Sequence, residues 1–138
     1  MKSRINKNFE ILAIIPARGG SKSIPKKNIK NLFNKPLLEY SINCAKNSKY
    51  VTRIIVSTDD KKIATIAKKA GADAVKFQMW RANDLYNDTH PSWKFIKKSE
   101  LTVEKIGKLK AVADKVGIEF FCSAFYPDAI TFLEKLKV

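Results

Sequence analysis

The chain has 138 residues, 45% of them hydrophobic and 29% charged, which is enough to bury a core and too few for two full enzymes. Its longest apolar runs, Ile11 to Ile15 and Phe120 to Cys122, fall far short of the about 20 residues of a membrane helix, and the basic start up to Glu10 has no apolar signal core behind it. That predicts a cytoplasmic chain with no membrane partner. The net charge of +14 is uneven, with 11 Lys and Arg against 2 Asp and Glu in residues 1–50 and 16 against 11 in residues 51–138.

Glu10 to Pro16 is a short β-branched run closed by proline. It predicts a buried parallel strand covered on both faces. Residues 17–28 are glycines, hydroxyls and lysines with no period, hence a loop. From Pro36 to Lys46 the residues Leu37, Leu38, Ser41, Ile42 and Ala45 recur at helical spacing, with Pro36 suited to the first turn. Arg53 to Ser57 reads as a second buried strand. Thr58 or Asp59 caps the next helix, whose apolar face is Ile63, Ile66, Ala67 and Ala70, and Gly71 ends it.

A third strand is predicted over Asp73 to Gln78. Met79 to Ser99 is irregular, with His90 and Pro91 as a turn and Ser92 to Lys97 as a short helix. Thr102 opens a longer helix through Val103, Ile106, Leu109, Val112, Ala113 and Val116, stopped by Gly117. Ile118 to Ser123 is the fourth strand, and Pro127 and Asp128 open a last helix through Ile130, Phe132, Leu133 and Leu136. Alternation of this kind predicts one α/β domain over residues 1–138 with a mainly parallel sheet and right-handed crossovers. Its ligands belong at the C-terminal ends of the strands.

The loop after the first strand carries the chemistry. In Pro16-Ala-Arg-Gly-Gly-Ser-Lys22, glycine backbone comes close to an anion, Ser21 adds a hydroxyl donor, and Arg18 and Lys22 supply charge-assisted contacts. It has neither the GxxxxGK[ST] nor the GxGxxG spacing. Cys44 and Cys122, with no CxxC and no clustered histidine, predict buried small hydrophobes in a reducing compartment. Only four arginines accompany the lysines, so a phosphate site accounts for the charge better than a nucleic-acid groove does.

The run Ile14-Ile-Pro-Ala-Arg-Gly-Gly-Ser-Lys-Ser-Ile-Pro-Lys-Lys-Asn28, continued in Pro36-Leu-Leu-Glu-Tyr-Ser41 and Val56-Ser-Thr-Asp-Asp60, resembles the nucleotide-binding signature of the acylneuraminate cytidylyltransferases, the CMP-sialic acid synthetases. The resemblance covers about residues 9–70 and implies a nucleotidyltransferase-like Rossmann start. It implies that Arg18, Gly19, Gly20, Ser21 and Lys22 hold the triphosphate of CTP, with Lys27 and Asn28 beside the nucleotide. The implied reaction joins a nonulosonic acid hydroxyl to the α-phosphate of CTP and releases pyrophosphate, with Mg²⁺ shared between phosphates and carboxylates. Asp59, Asp60 and Asp73 are the nearby carboxylates, the first two reading as helix N-terminal residues.

From Gly71 onward, Gly71-Ala-Asp-Ala-Val-Lys-Phe-Gln-Met-Trp80 and Ile118-Glu-Phe-Phe-Cys-Ser123 resemble the N-acetylneuraminate synthases, (β/α)8 barrels that condense phosphoenolpyruvate with an N-acylated hexosamine. That resemblance covers about residues 70–138. It implies Lys76 and Gln78 as active-site residues on one strand face. Ser123-Ala-Phe-Tyr126 departs from the Ser-Thr-Pro-Phe of that family, and His90 is the sole histidine. Arg81 to Asp88 also resembles a blurred RPxxLAxD segment of the synthetases, but the Lys-Phe-Gln run immediately before it favours the synthase assignment. The two resemblances together imply a fused chain of sialic acid biosynthesis that binds a phosphate ligand, lacks the later half of the synthetase and both the first-strand glutamate and the later-strand histidines of the synthase, and turns over neither reaction alone. A non-catalytic nucleotide-binding or docking module, self-associating through open sheet edges, is the alternative.

Overall fold

The computed structural model of the protein describes residues 10–21 and 23–138. Four strands, β1 (Leu12–Pro16), β4 (Arg53–Ser57), β5 (Ala74–Met79) and β6 (Glu119–Ala124), form one parallel sheet in the order β1-β4-β5-β6. A two-residue hairpin, β2 (Asn31–Leu32) and β3 (Lys35–Pro36), precedes α1 (Leu37–Lys46). The remaining helices are α2 (Lys61–Ala70), α3 (Ala82–Leu85), α4 (Trp93–Ser99), α5 (Val103–Val116) and α6 (Pro127–Lys135). This is the expected α/β fold, a mainly parallel sheet with alternating helices.

The stop and cap signals act as their chemistry predicts. Gly71 and Gly117 end α2 and α5 at φ of 91° and 71°, the left-handed region that glycine enters without a Cβ penalty. Thr102 caps α5 by accepting from the Lys105 N–H. The α2 cap is neither Thr58 nor Asp59. It is Asp60, whose carboxylate accepts from the Lys62 N–H at 2.6 Å, because the chain turns helical one residue later than the sequence pattern suggested. Pro36 lies in β3 and immediately precedes α1, outside the helix's first turn.

The core lies between the sheet and its helices. Helices α1, α2 and α5 pack side by side, α1 against β1 and β4, α2 against β5 and α5 against β6. Their buried faces supply Leu38 and Ile42, Ile63, Ala64 and Ala67, and Ile106, Leu109 and Ala113. From the sheet they meet Val56, Val75, Phe77 and Phe120, with the Phe77 and Phe120 rings stacked at 5.0 Å. No helix among the described residues is long and apolar enough to cross a membrane.

The first strand is not covered on both faces. Along β1 exposure alternates, with Leu12 at 45% and Ile14 at 57%. The cause is the strand order: successive right-handed crossovers that always step in the same direction lay their helices on one side of the sheet. The opposite face carries Leu12, Ile14, Ile55, Ala74 and Phe121 at matching register positions. Arg53 of β4 and Glu119 of β6 form an ion pair across the intervening strand, where Ala74, the register partner of Glu119, is small. Cys44 also departs from expectation. It is exposed, because it lies two residues beyond Ile42 and so turns away from the buried stripe of α1.

Candidate functional site

β1 and β4 end side by side at Pro16 and Ser57. Ser57 pairs with Lys76, so β5 runs on past it and carries Gln78 and Met79 beyond the end of β4. Above this step the polar loop of residues 17–28 closes on one side and residues 80–101 on the other. Two adjoining cavities result, sharing Pro16, Arg18 and Gly20.

The smaller cavity, about 450 Å³, is the loop's own concavity and is lined by Arg18, Gly20, Ser21, Lys27 and Asn28 together with Pro16, Ser23 and Ile24. The structure thus gathers five of the predicted loop residues around one space. The Asn28 side chain donates to the Arg18 carbonyl at 2.8 Å and ties the loop's two ends together. Lys22 lies outside the described residues.

Gly19 has a different job from the one its type suggested. Its N–H donates to the Asp59 carboxylate at 2.7 Å and so is already spent on the protein. A Cβ on Gly19 would stand 2.7 Å from Asp60 Oδ2 and 2.8 Å from its Cβ. Glycine is required there by close packing of the loop on the β4–α2 turn. At Gly20 a Cβ would meet only the Phe95 ring edge, at 3.9 Å, so that backbone remains open to the cavity.

The larger cavity, about 600 Å³, extends from Arg18 and Gly20 over Ser57, Thr58 and Asp59 to Gln78, Trp80, Tyr86, Phe95 and Lys98. Its far wall is aromatic. Trp80 and Tyr86 meet edge to face at 6.4 Å, and Tyr86 leans on His90 at 5.7 Å. His90 is a turn residue, as its proline neighbour suggested, with Nδ1 accepting from the Ser92 N–H. Lys76 and Gln78 share a strand face as expected, but only Gln78 lines the cavity, since Lys76 sits lower beside Ser57. Sequence reasoning missed Trp80, Tyr86 and Phe95 as site residues. Their signal was a set of aromatics in a polar, irregular stretch immediately after a strand's C-terminal end.

The wall is fixed from behind. Glu100 accepts from the Ala82 N–H at 3.2 Å and from Lys97 at 2.9 Å, joining the start of α3 to the end of α4. Partial burial works to raise its pKa, but those two hydrogen bonds, with the charges of Lys97 and Lys105, hold it below the ordinary value of 4.5. Arg81 pairs with Asp128 and lies over the Tyr126 ring at 3.8 Å, fastening α3 to the start of α6.

The three aspartates proposed as carboxylate candidates are each engaged by backbone: Asp59 by Gly19, Asp60 by Lys62 and Asp73 by the Ile54 N–H at 2.7 Å. Only Asp59 faces the larger cavity. No group of three His, Cys, Asp or Glu residues suited to a metal ion occurs among the described residues.

A family model for cytidylyltransferases matches residues 12–109, well over half of the sequence. The chain belongs to the cytidylyltransferase family. The match runs past residue 70, where the sequence resemblance to the synthetases ended, and takes in the aromatic wall. The chain is 52% identical over 63 residues to the pseudaminic acid cytidylyltransferase of Campylobacter jejuni subsp. jejuni serotype O:2, which is 46% of this chain and 27% of that protein. It is 42% identical over 88 residues to the N-acylneuraminate cytidylyltransferase of Escherichia coli O18:K1:H7, 64% of this chain and 20% of that protein. With the CMP-N,N'-diacetyllegionaminic acid synthase of Legionella pneumophila the identity is 46% over 82 residues, 59% of this chain and 34% of the relative. The cytidylyltransferase chain thus spans about a fifth to a third of the length of these curated relatives.

Proposed function

We propose that the paired cavities are the CTP-binding part of a cytidylyltransferase that acts on a nonulosonic acid of the sialic, pseudaminic or legionaminic kind. The observation that carries this reading is the adjacency of a cationic hydroxyl-bearing loop and an aromatic wall across one cavity above the strand ends, in a chain of this family. A nucleoside triphosphate has that polarity, with a polyanion at one end and a flat ring at the other.

In this reading Arg18, the Gly20 backbone, Ser21, Lys22, Lys27 and Asn28 hold the phosphates, and Gly19 positions the loop through Asp59. The sugar-acid hydroxyl attacks the α-phosphorus, the bond to the β-phosphate oxygen breaks, and pyrophosphate departs into the cationic loop. Such a transfer needs positioning and charge neutralisation more than covalent work by the protein. Mg²⁺ would enter with the triphosphate, neutralising phosphate charge, and Asp59 is the carboxylate at the cavity that fits it. The sugar-acid pocket is assigned to sequence beyond the part of the relatives that this chain matches, and the chain alone is expected to bind CTP without turnover. A cytoplasmic setting accords with CTP as substrate.

A second reading rests on Gln78, which lines the same cavity, and on Lys76 beside it. It takes residues 71–138 as a synthase-like segment in which these two residues hold phosphoenolpyruvate. Calorimetric titration separates the readings. With CTP and Mg²⁺, Arg18→Ala should weaken binding roughly ten- to a hundredfold, the worth of a charge-assisted contact. If instead phosphoenolpyruvate binds, CTP does not, and Lys76→Ala alone weakens the complex, the second reading replaces the first.

A further inference from the structure

A separate cleft of about 380 Å³ opens on the helix side of the β4–α2 turn. Half of its ten lining residues are lysines: Lys26 from the loop, Lys61 and Lys62 from the start of α2, and Lys105 and Lys108 from α5. Its floor is apolar, made by Ile29, Leu101 and Leu109.

The charges there are poorly balanced by the protein itself. Lys108 pairs with Glu104, and Lys105 donates to the Glu100 carbonyl. Lys26, Lys61 and Lys62 make no ion pair among the described residues. The cleft's two carboxylates, Asp59 and Asp60, each accept a backbone N–H. The first turn of α2 adds the positive end of a helix dipole to the same space.

Lys26 adds an observation of another kind. It adopts φ of 55°, a left-handed conformation that a residue with a Cβ adopts only against a cost. The two neighbours Lys26 and Lys27 serve different spaces, Lys27 lining the loop cavity and Lys26 lining this cleft. The loop backbone therefore delivers neighbouring lysines to two different cavities.

We propose that this cleft is a second anion site, distinct from the two strand-end cavities, that takes a phosphate monoester borne on a small apolar body. The lysines take the phosphate and the floor of Ile29, Leu101 and Leu109 takes the apolar part. The site's cations are its own, since none of its lysines lines the other two cavities, while Asp59 and Leu101 are shared with the larger one.

The test is calorimetric titration of the full chain with phenyl phosphate and, separately, with inorganic phosphate. Phenyl phosphate should bind the wild type and Arg18→Ala equally. Its affinity should fall at least tenfold in the double variant Lys26→Gly with Lys61→Ala, in which glycine keeps the left-handed backbone. Both lysines are exposed, and an unchanged circular dichroism spectrum and melting temperature confirm that the variant is folded; Lys61→Arg should retain binding. Inorganic phosphate should bind several-fold more weakly than phenyl phosphate. Loss of binding in Arg18→Ala with none in the double variant, equal affinity for the two probes, or no binding of phenyl phosphate at millimolar concentration would each overturn the proposal.

Discussion

The Gly19 N–H and the Asp59 carboxylate, forty residues apart in sequence, meet at 2.7 Å and lock the loop after β1 onto the turn after β4. The bond is partly buried and charge-assisted, the class worth about 1.5 to 3 kcal/mol. The loop's geometry is therefore set by the sheet rather than by the loop. Asp59→Ala should release the loop and lower CTP affinity about tenfold or more, while the core, centred on Val56, Ile63 and Phe77, keeps the protein folded. Titration with CTP and Mg²⁺ beside a thermal melt checks this. Unchanged affinity would mean that the loop holds its shape unaided.

Gly19→Ala probes the same joint from the other side. The added methyl would collide with Asp60 close to its backbone, at Cβ as well as Oδ2, so relief requires the α2 start to shift. Overpacking of this kind costs about 1 to 3 kcal/mol. Gly20→Ala meets only the Phe95 ring edge at an ordinary van der Waals distance and should leave stability within about 0.5 kcal/mol of wild type. Chemical denaturation of the two variants measures the difference, and equal losses would refute the assignment of Gly19 to packing.

Much of this was legible in the sequence. Gly71, Gly117 and Thr102 mark helix ends through local backbone chemistry, and the spacing of Leu38 and Ile42 or of Ile106, Leu109 and Ala113 marks buried helical faces. The composition of residues 17–28 likewise marks them as a loop rather than an α-helix or strand. The bare face of Leu12 and Ile14 was not legible, because one-sidedness belongs to the order of strands in the sheet and not to the residues of any one strand. The β2–β3 hairpin was missed since two-residue strands have no period to read, and the single turn of α3 has none either. The α2 cap, expected at Thr58 or Asp59, is Asp60, while the Asp59 carboxylate is taken by the Gly19 N–H from the neighbouring strand's loop, a tertiary contact that no local pattern shows.

Glu100 predicts a pH response at the cavity's back wall. Burial opposes ionisation, but the Lys97 hydrogen bond and the Ala82 N–H win, so the folded pKa is depressed below 4.5. A depressed carboxylate contributes stability above its unfolded pKa and loses it as pH falls through the folded one. The melting temperature should therefore drop as pH falls below about 4.5. Glu100→Gln should remove part of that drop while melting lower than wild type at neutral pH. Melts of both proteins between about pH 6 and pH 3 test the sign. Parallel curves would exclude Glu100 as a contributor.

The thiols should differ sharply in reactivity. Burial pushes the Cys122 thiol up to about 11, against smaller opposing effects of the Met79 backbone and the Lys76 charge, whereas Cys44 is exposed on α1. The thiolate is the nucleophile, so at about pH 8 a thiol-specific disulfide reagent should modify about one equivalent quickly, at Cys44, and the second only on denaturation. Cys44→Ser should abolish the fast phase. Rapid modification of both in the native protein would contradict the burial of Cys122.

On the proposed reading, the aromatic wall is what separates a nucleotide site from a mere anion site. Trp80 is held edge to face against Tyr86, and Gln78, standing beyond the end of β4, offers one amide donor and one acceptor group to whatever ring lies against that wall. Stacking of a base on an aromatic side chain is worth about 1 to 3 kcal/mol by alanine substitution, and it does not act on a ligand without a ring. Trp80→Ala should therefore weaken CTP about five- to a hundredfold and leave inorganic tripolyphosphate, which occupies only the cationic loop, unaffected. Arg18→Ala should weaken both. Quenching of Trp80 fluorescence on addition of CTP, with Trp93→Phe removing the second tryptophan as background, gives an independent readout of contact. If Trp80→Ala lowers the affinity for tripolyphosphate as much as for CTP, the wall serves only to hold the loop in place and the base lies elsewhere.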